Sequence, residues 1–297
     1  MNQERKALLF GLAAVACWST VATAFKVALQ HNDVYQLVFY ATLVSTLFLL
    51  GVVLIQGHLV ELVQAFRQHW LMACLGGLLN PLIYYVVLFK AYDLLPAQVA
   101  MSINYSWAIV LSLMAILFLG QRMLIADILA AVICYGGVVI IATQGDLTSF
   151  AGADLAGVGL ALLSTVIWAS YWTLNIRDVR EPVLGLCMNF LVALPATAVV
   201  CALFSSFLIN TDAFLASAYV GLMEMGVAFV LWSTALRTAT NASRISNLIF
   251  LSPFVSLVII NQVLGEAILP TTLYGLVLII GGLGLQQYAH GRTGPAS

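Results

Sequence analysis

Ten stretches of this chain run for about twenty residues at a time with scarcely an ionisable side chain, the length a helix needs to cross a bilayer. They fall at about 7–29, 34–55, 71–92, 97–119, 123–142, 155–175, 183–205, 214–236, 241–264 and 270–289. Short polar punctuation separates several of them: His31-Asn32-Asp33, Asp93 to Pro96, Gly120 to Arg122 and Arg177 to Pro182. Links this short make neighbouring helices antiparallel. Apolar runs rich in internal Gly and Ala suit helices, whereas a barrel strand would alternate apolar and polar positions. The pattern predicts an all-α membrane protein with ten transmembrane helices.

The first stretch needs separate treatment, because Arg5 and Lys6 precede an apolar run holding Ala22-Thr23-Ala24, as in a cleaved secretion signal. The run from Ala7 to Leu29 is long enough to span, and a matching segment recurs mid-chain, so it is expected to stay as the first span. Basic residues set the orientation. With the N-terminus inside, cytoplasmic segments carry Arg5, Lys6, Arg67, Arg122, Arg177, Arg180, Arg237 and Arg292, eight of the 11 Lys and Arg. The opposite loops hold Asp33, Asp93, Asp146, Asp212 and Glu266. Lys26, Lys90 and Arg244 lie just inside span ends, where long side chains snorkel to water. Both termini are therefore expected in the cytoplasm of a bacterial inner membrane.

Composition agrees: of 297 residues 63% are hydrophobic and 8% charged, with a net charge of −1. A soluble domain carries roughly a quarter charged residues. No long basic run points to nucleic acid or to an anionic membrane surface. The five cysteines all sit in apolar stretches without a CxxC, and the four histidines are scattered singly. Metal ligation and cofactor binding are not expected.

Sliding the chain on itself reveals a repeat. At an offset of 145 residues Gly120-Gln121 meets Gly265-Glu266, Gly136-Gly137 meets Gly281-Gly282, and Gly76 meets Gly221. At an offset of 150, Trp18 meets Trp168 and Ala14 meets Ser164. Two five-helix halves follow, 1–150 and 151–297. An odd number of spans per half gives the second the opposite polarity, so the fold is expected to be two inverted repeats. Such repeats are the usual frame of alternating-access carriers, with substrate bound near the midplane.

Aromatic residues with polar tips normally gather at membrane interfaces, but here many stand near span centres. Trp18 lies in span one, Tyr84 in span three beside Tyr85, Tyr105 and Trp107 in span four, and Trp168 in span six with Tyr171 and Trp172 a turn on. In span six Gly157, Ala161, Ser164, Trp168, Tyr171 and Asn175 share one helical face. Met101, Asn104, Ala108 and Ser112 do so in span four, and Gly77, Asn80, Tyr84 and Ala91 in span three. These positions either line an aromatic cavity that stacks an apolar side chain and attracts an ammonium, or they pack helices with their polar tips satisfied. The binding candidates are Tyr84, Tyr105, Trp107, Trp168, Trp18, Asn104, Asn80 and Tyr171.

Glu224 is an acid at the centre of a span, where a charge costs on the order of 3 kcal/mol. It is either a proton carrier, an amine ligand, or a neutral acid bonded to a neighbouring helix. Arg244, at the start of span nine, either snorkels or grips a carboxylate. Pro81 and Pro253 are placed to kink their spans, and the Gly pairs of spans five and ten to bring helices close.

The ten spans, the duplication and the stretch Leu251-Ser252-Pro253-Phe254, followed by Leu264-Gly265-Glu266 and the Gly-rich run from Tyr274 to Gly284, resemble the drug/metabolite transporter superfamily, specifically its EamA-type members. In the first half Ala108 stands where Pro253 would be and Gln121 where Glu266 is. At closer range the chain is similar to the YddG-type exporters of aromatic amino acids. The resemblance implies a secondary transporter exporting aromatic and other apolar amino acids by alternating access, with a drug or other small-metabolite carrier as the nearest alternative and a channel as the alternative of another class. No Gly-Lys dipeptide is present for a phosphate-cradling loop, nor a GxSxG or HExxH pattern, so neither an ATPase nor a hydrolase is expected. The expected partners are a small amphiphile and lipid, with no nucleic acid, and the chain is expected to act as a monomer.

Overall fold

The computed structural model describes residues 3–119, 124–145, 154–239, 245 and 247–293. Among them every regular element is helical, and ten helices are long and apolar enough to cross a membrane: Gln3–Leu29, Val34–Ile55, Leu59–Leu94, Ala97–Phe118, Ile125–Ala142, Leu155–Ile176, Pro182–Phe204, Thr211–Thr238, Asn247–Leu264 and Pro270–Ala289. These are spans one to ten. The main departure from the hydropathy pattern is in span three, which begins at Leu59 and breaks at His69 (φ −128°, ψ 28°) before its apolar part. Glu61, Gln64, Arg67 and Gln68 make that first segment polar, which hides it from a search for apolar runs.

The chain folds into two compact units, each built from two separate segments of the sequence. The first comprises Met1–Phe89 and Asp178–Leu264, the second Lys90–Arg177 and Gly265–Ser297. In the first unit, span one packs on spans eight and nine, and spans two and three pack on span seven. Small residues permit the close approaches. A Cβ at Gly221 would collide with the Ala41 carbonyl, and one at Gly77 with the carbonyl of Asn189. Ser19 Oγ donates to Ser252 Oγ at 3.3 Å, joining spans one and nine. Asp33 caps span two by accepting from the backbone N–H of Tyr35 and Gln36 at 2.8 and 3.0 Å. The Gln36 amide reaches the carbonyls of Ser206 and Leu208, and the Tyr40 hydroxyl that of Phe207. The start of span two is thereby fastened to the loop that precedes span eight.

Arg180 departs from its expected place in a water-exposed cytoplasmic link. Its side chain is 2% exposed, doubly bonded to Asp178, and it donates to Asn189 Oδ1 at 3.1 Å. The planar guanidinium satisfies a carboxylate and an amide at once, which makes its burial tolerable.

In the second unit spans five and ten form the tightest pairing. A Cβ at Gly137 would strike the Gly275 carbonyl, and one at Gly282 would lie 2.9 Å from the Ala130 carbonyl. One member of each glycine pair packs helix on helix; Gly136 and Gly281 face open space. Gln286 adds a polar lock, donating to Ser112 Oγ and to Asp127 Oδ1 at 2.8 Å, while Asp127 Oδ2 accepts from Leu124 N–H.

Span four opens on Pro96, whose side chain cannot cap a helix. The cap comes from far along the chain. Gly265, at φ +68°, turns the backbone after span nine, and Glu266 accepts from the N–H of Ala97 at 2.9 Å and of Gln98 at 3.4 Å. Gln98 completes the clamp by donating to the Ala267 carbonyl at 2.8 Å and accepting from Leu269 N–H at 3.2 Å.

Helix limits recur along the chain. The helix Trp107–Leu119 falls on Ser252–Leu264 at the offset of 145, and the start of span five at Ile125 falls on the start of span ten at Pro270. Pro253 is thus the second residue of a helix that begins at Ser252, after the 3₁₀ segment Asn247–Leu251. It opens a helix, where its missing N–H costs little, instead of kinking one as its mid-span position predicted.

Candidate functional site

Among the described residues four spans lose their α-helical regularity near their centres. Span three does so over Leu78–Ile83, where Asn80 takes an extended conformation (φ −140°, ψ 115°) before Pro81. Span eight contains a π-type segment at Val220–Val227. Span four breaks at Tyr105 and Ser106, between Ala97–Asn104 and Trp107–Leu119, and span nine changes from 3₁₀ to α at Ser252. Such widened or broken turns free backbone groups and re-aim side chains, and they concentrate at functional sites. Six of the candidates stand on or beside them: Asn80, Tyr84, Asn104, Tyr105, Trp107 and Glu224.

The first unit gathers Trp18, Asn80, Tyr84 and Glu224. Asn80 is fully buried, and neither of its amide atoms has a partner among the described residues. An orphaned buried amide costs about 1–3 kcal/mol, so it marks a place where a further polar group fits. The π-type segment of span eight carries Glu224, 8% exposed. The Tyr85 hydroxyl donates to its Oε1 at 3.0 Å, and Oε2 has no partner among the described residues. The Trp18 indole approaches the same carboxyl. Trp18 also meets Phe229 edge-on at 5.9 Å and Trp232 at 5.3 Å, while Tyr85 packs among Tyr84, Phe25 and Phe89. Tyr85, Phe229 and Trp232 were not among the candidates. Trp232 and Phe229 are three residues apart, on one face of span eight, and that spacing was the available signal.

The second unit gathers Asn104, Tyr105, Trp168 and Tyr171. The Asn104 amide donates to Ser164 Oγ at 2.9 Å, and Ser164 in turn donates to the Ala161 carbonyl. Trp168 and Tyr171 stack at 5.5 Å with 29° between their planes, and Trp172 meets both edge-on. The predicted face of span six therefore divides. Gly157 serves packing, since a Cβ there would stand 2.7 Å from Leu95 Cγ, while the aromatic pair lies further along. Trp107, half-buried, opens the helix after the break in span four. The Trp172 indole N–H has no partner among the described residues. Arg244 lies outside the described residues, as does Gln121.

Among the described residues no group of three or more His, Cys, Asp or Glu gathers as a metal site would require. What the two clusters provide instead is aromatic surface with isolated, buried polar groups, the usual lining of a small-molecule site.

A family model described as the EamA-like transporter family matches the chain twice, over residues 5–143 and 155–286. The chain belongs to the EamA-like transporter family. It is accordingly a membrane transporter. An uncharacterized transporter, YvbV, of Bacillus subtilis (strain 168) is 25% identical over 290 residues, covering 94% of this chain and 90% of that protein. A solved crystal structure of 21% sequence identity superposes with a TM-score of 0.69 over 98% of this chain and 99% of the other, a likeness of fold.

Proposed function

We propose that this EamA-family protein is a secondary transporter that exports aromatic and other apolar amino acids by alternating access through a midplane cavity. The observation that carries the proposal is the recurrence of mid-span interruptions at matching positions in the two halves. Leu78–Ile83 overlaps Val220–Val227 and the break at Tyr105–Ser106 overlaps Asn247–Leu251 when the sequence is shifted by 145 residues. Discontinuous helices paired in this way are how carriers build a midplane site from repeats. The repeat units of the proposal are 1–150 and 151–297, of opposite polarity, with both termini in the cytoplasm of a bacterial inner membrane.

Substrate chemistry is inferred from the lining. In this reading the rings of Trp168, Tyr171, Tyr105 and Trp107 would stack a planar side chain, at about 0.5–1.5 kcal/mol per aromatic pair beyond area burial. Phosphate-bearing solutes would call for a free midplane cation. Among the described residues the buried guanidinium, Arg180, is already held by Asp178.

Counterflow in liposomes holding only this protein tests the proposal. Vesicles loaded with unlabelled phenylalanine are expected to accumulate labelled phenylalanine, with tryptophan and leucine competing and nucleotide sugars inert. Exchange of apolar drugs without exchange of any amino acid would replace the amino-acid reading by the drug-carrier one. Unsaturable flux would replace it by a channel.

A further inference from the structure

We propose that Glu224, with Trp18 and Tyr85, forms an ammonium-binding subsite, so that the solute is recognised by its amine and not by a carboxylate. The inference rests on the export proposal only for its physiological meaning; the subsite itself is argued from the first unit's geometry. Glu224 Oε1 is fixed by the Tyr85 hydroxyl at 3.0 Å, and Oε2 is buried without a partner among the described residues. Both neighbouring polar tips are donors toward this carboxyl: the Tyr85 O–H, and the Trp18 indole N–H, which cannot accept at all. A donor fixed on Oε1 with a second donor beside it suits a carboxylate that accepts, and Oε2 is left for a further donor.

The surroundings define what that donor is. The described ion pairs, Arg180 with Asp178 and Arg237 with Glu181, do not involve Glu224, so none of them neutralises it. A hard metal ion would need several oxygen ligands, and no group of three or more His, Cys, Asp or Glu gathers at Glu224 among the described residues. Aromatic side chains do accompany it: Trp18, which meets Phe229 and Trp232, and Tyr85, which meets Tyr84. A carboxylate oxygen set among aromatic side chains suits an organic ammonium, which takes one charged hydrogen bond and cation–π attraction from rings within reach. The π-type segment contributes by widening the turn that bears Glu224.

The test uses the full-length protein in nanodiscs and three probes that share a phenyl ring: phenethylamine, phenylalanine and 3-phenylpropionate. Binding is read by calorimetry. Phenethylamine and phenylalanine are expected to bind and 3-phenylpropionate to bind at least tenfold more weakly. Glu224→Gln is expected to abolish that preference, weakening phenethylamine at least tenfold, whereas Glu224→Asp keeps the preference at reduced affinity. Trp18→Leu, which leaves the carboxylate in place, is expected to weaken phenethylamine severalfold and leave 3-phenylpropionate unchanged; it carries the test should Glu224→Gln fail to fold. Equal binding of the amine and the acid by the wild-type protein, or unchanged amine binding in Glu224→Gln, overturns the subsite. Amine binding that depends on Glu224 with no amino-acid flux in liposomes would sink the export proposal and leave the subsite standing. Amino-acid flux indifferent to Glu224 would do the reverse.

Discussion

Replacing Glu266 by alanine removes the carboxylate part of the clamp at the head of span four and leaves the bonds of Gln98 to Ala267 and Leu269. That carboxylate accepts from the backbone N–H of Ala97 and Gln98 and from the Gln98 amide, and Pro96 at the N-cap has no side-chain group to replace it. Ala97 is fully buried and Gln98 3% exposed, so water reaches the freed donors poorly. Loss of a helix cap costs about 0.5–2 kcal/mol, and a hydrogen bond to a charged acceptor is worth about 1.5–3 kcal/mol. Because Glu266 itself is half-exposed, the combined loss is set near the overlap of the two ranges, about 2 kcal/mol. At roughly 2–4 °C per kcal/mol for a chain of this order of size, thermal unfolding in detergent should fall by about 4–8 °C. Glu266→Gln keeps an acceptor oxygen without the charge and should lose about half as much. A fall below about 1 °C for Glu266→Ala would refute the claim that this long-range contact holds span four in place.

Other outcomes follow from the packing. Gly221→Val should destabilise by about 1–3 kcal/mol, because its side chain must displace the Ala41 carbonyl; thermal unfolding and expression yield check it. Arg180→Ala or Asp178→Ala alone should cost about 3–5 kcal/mol by stranding a buried charge, and the double substitution should cost less than the sum of the two, which a double-mutant cycle measures. Arg237→Ala breaks the more exposed pair with Glu181 and should change stability by less than about 1 kcal/mol.

The spans were legible because a bilayer makes an apolar run of fixed length obligatory, and nine of the ten start within a few residues of where hydropathy places them, allowing for the undescribed stretch before Asn247. The exception, span three, begins in a segment whose Glu61, Arg67 and Gln68 mask its helicity. Side-chain roles were less legible, for a reason that particular residues make plain. Glu266 stood out only as a matched position in the repeat, yet its partners, Ala97 and Gln98, lie some 170 residues earlier, a separation no local pattern encodes. Arg180 reads as a loop cation until the fold brings Asp178 and Asn189 to it. Asn104 and Ser164 were each on a predicted face, but their bond needs the two faces to meet. Helical periodicity found the Trp168–Tyr171 stack because both residues belong to one helix; the Tyr85–Glu224 bond joins two.

The division into compact units was equally hidden. Sequence duplication divides the chain near its middle, whereas the contacts gather Met1–Phe89 with Asp178–Leu264. Repeats report ancestry, and contacts report which helices now bury one another's faces.

The most direct test of the central claim is efflux of labelled phenylalanine from loaded proteoliposomes, comparing wild type with Trp168→Ala and Tyr105→Ala. The account predicts saturable efflux by the wild-type protein and at least a tenfold loss in each variant while both remain folded. Absence of wild-type efflux, or variants that transport as fast as wild type, would contradict it.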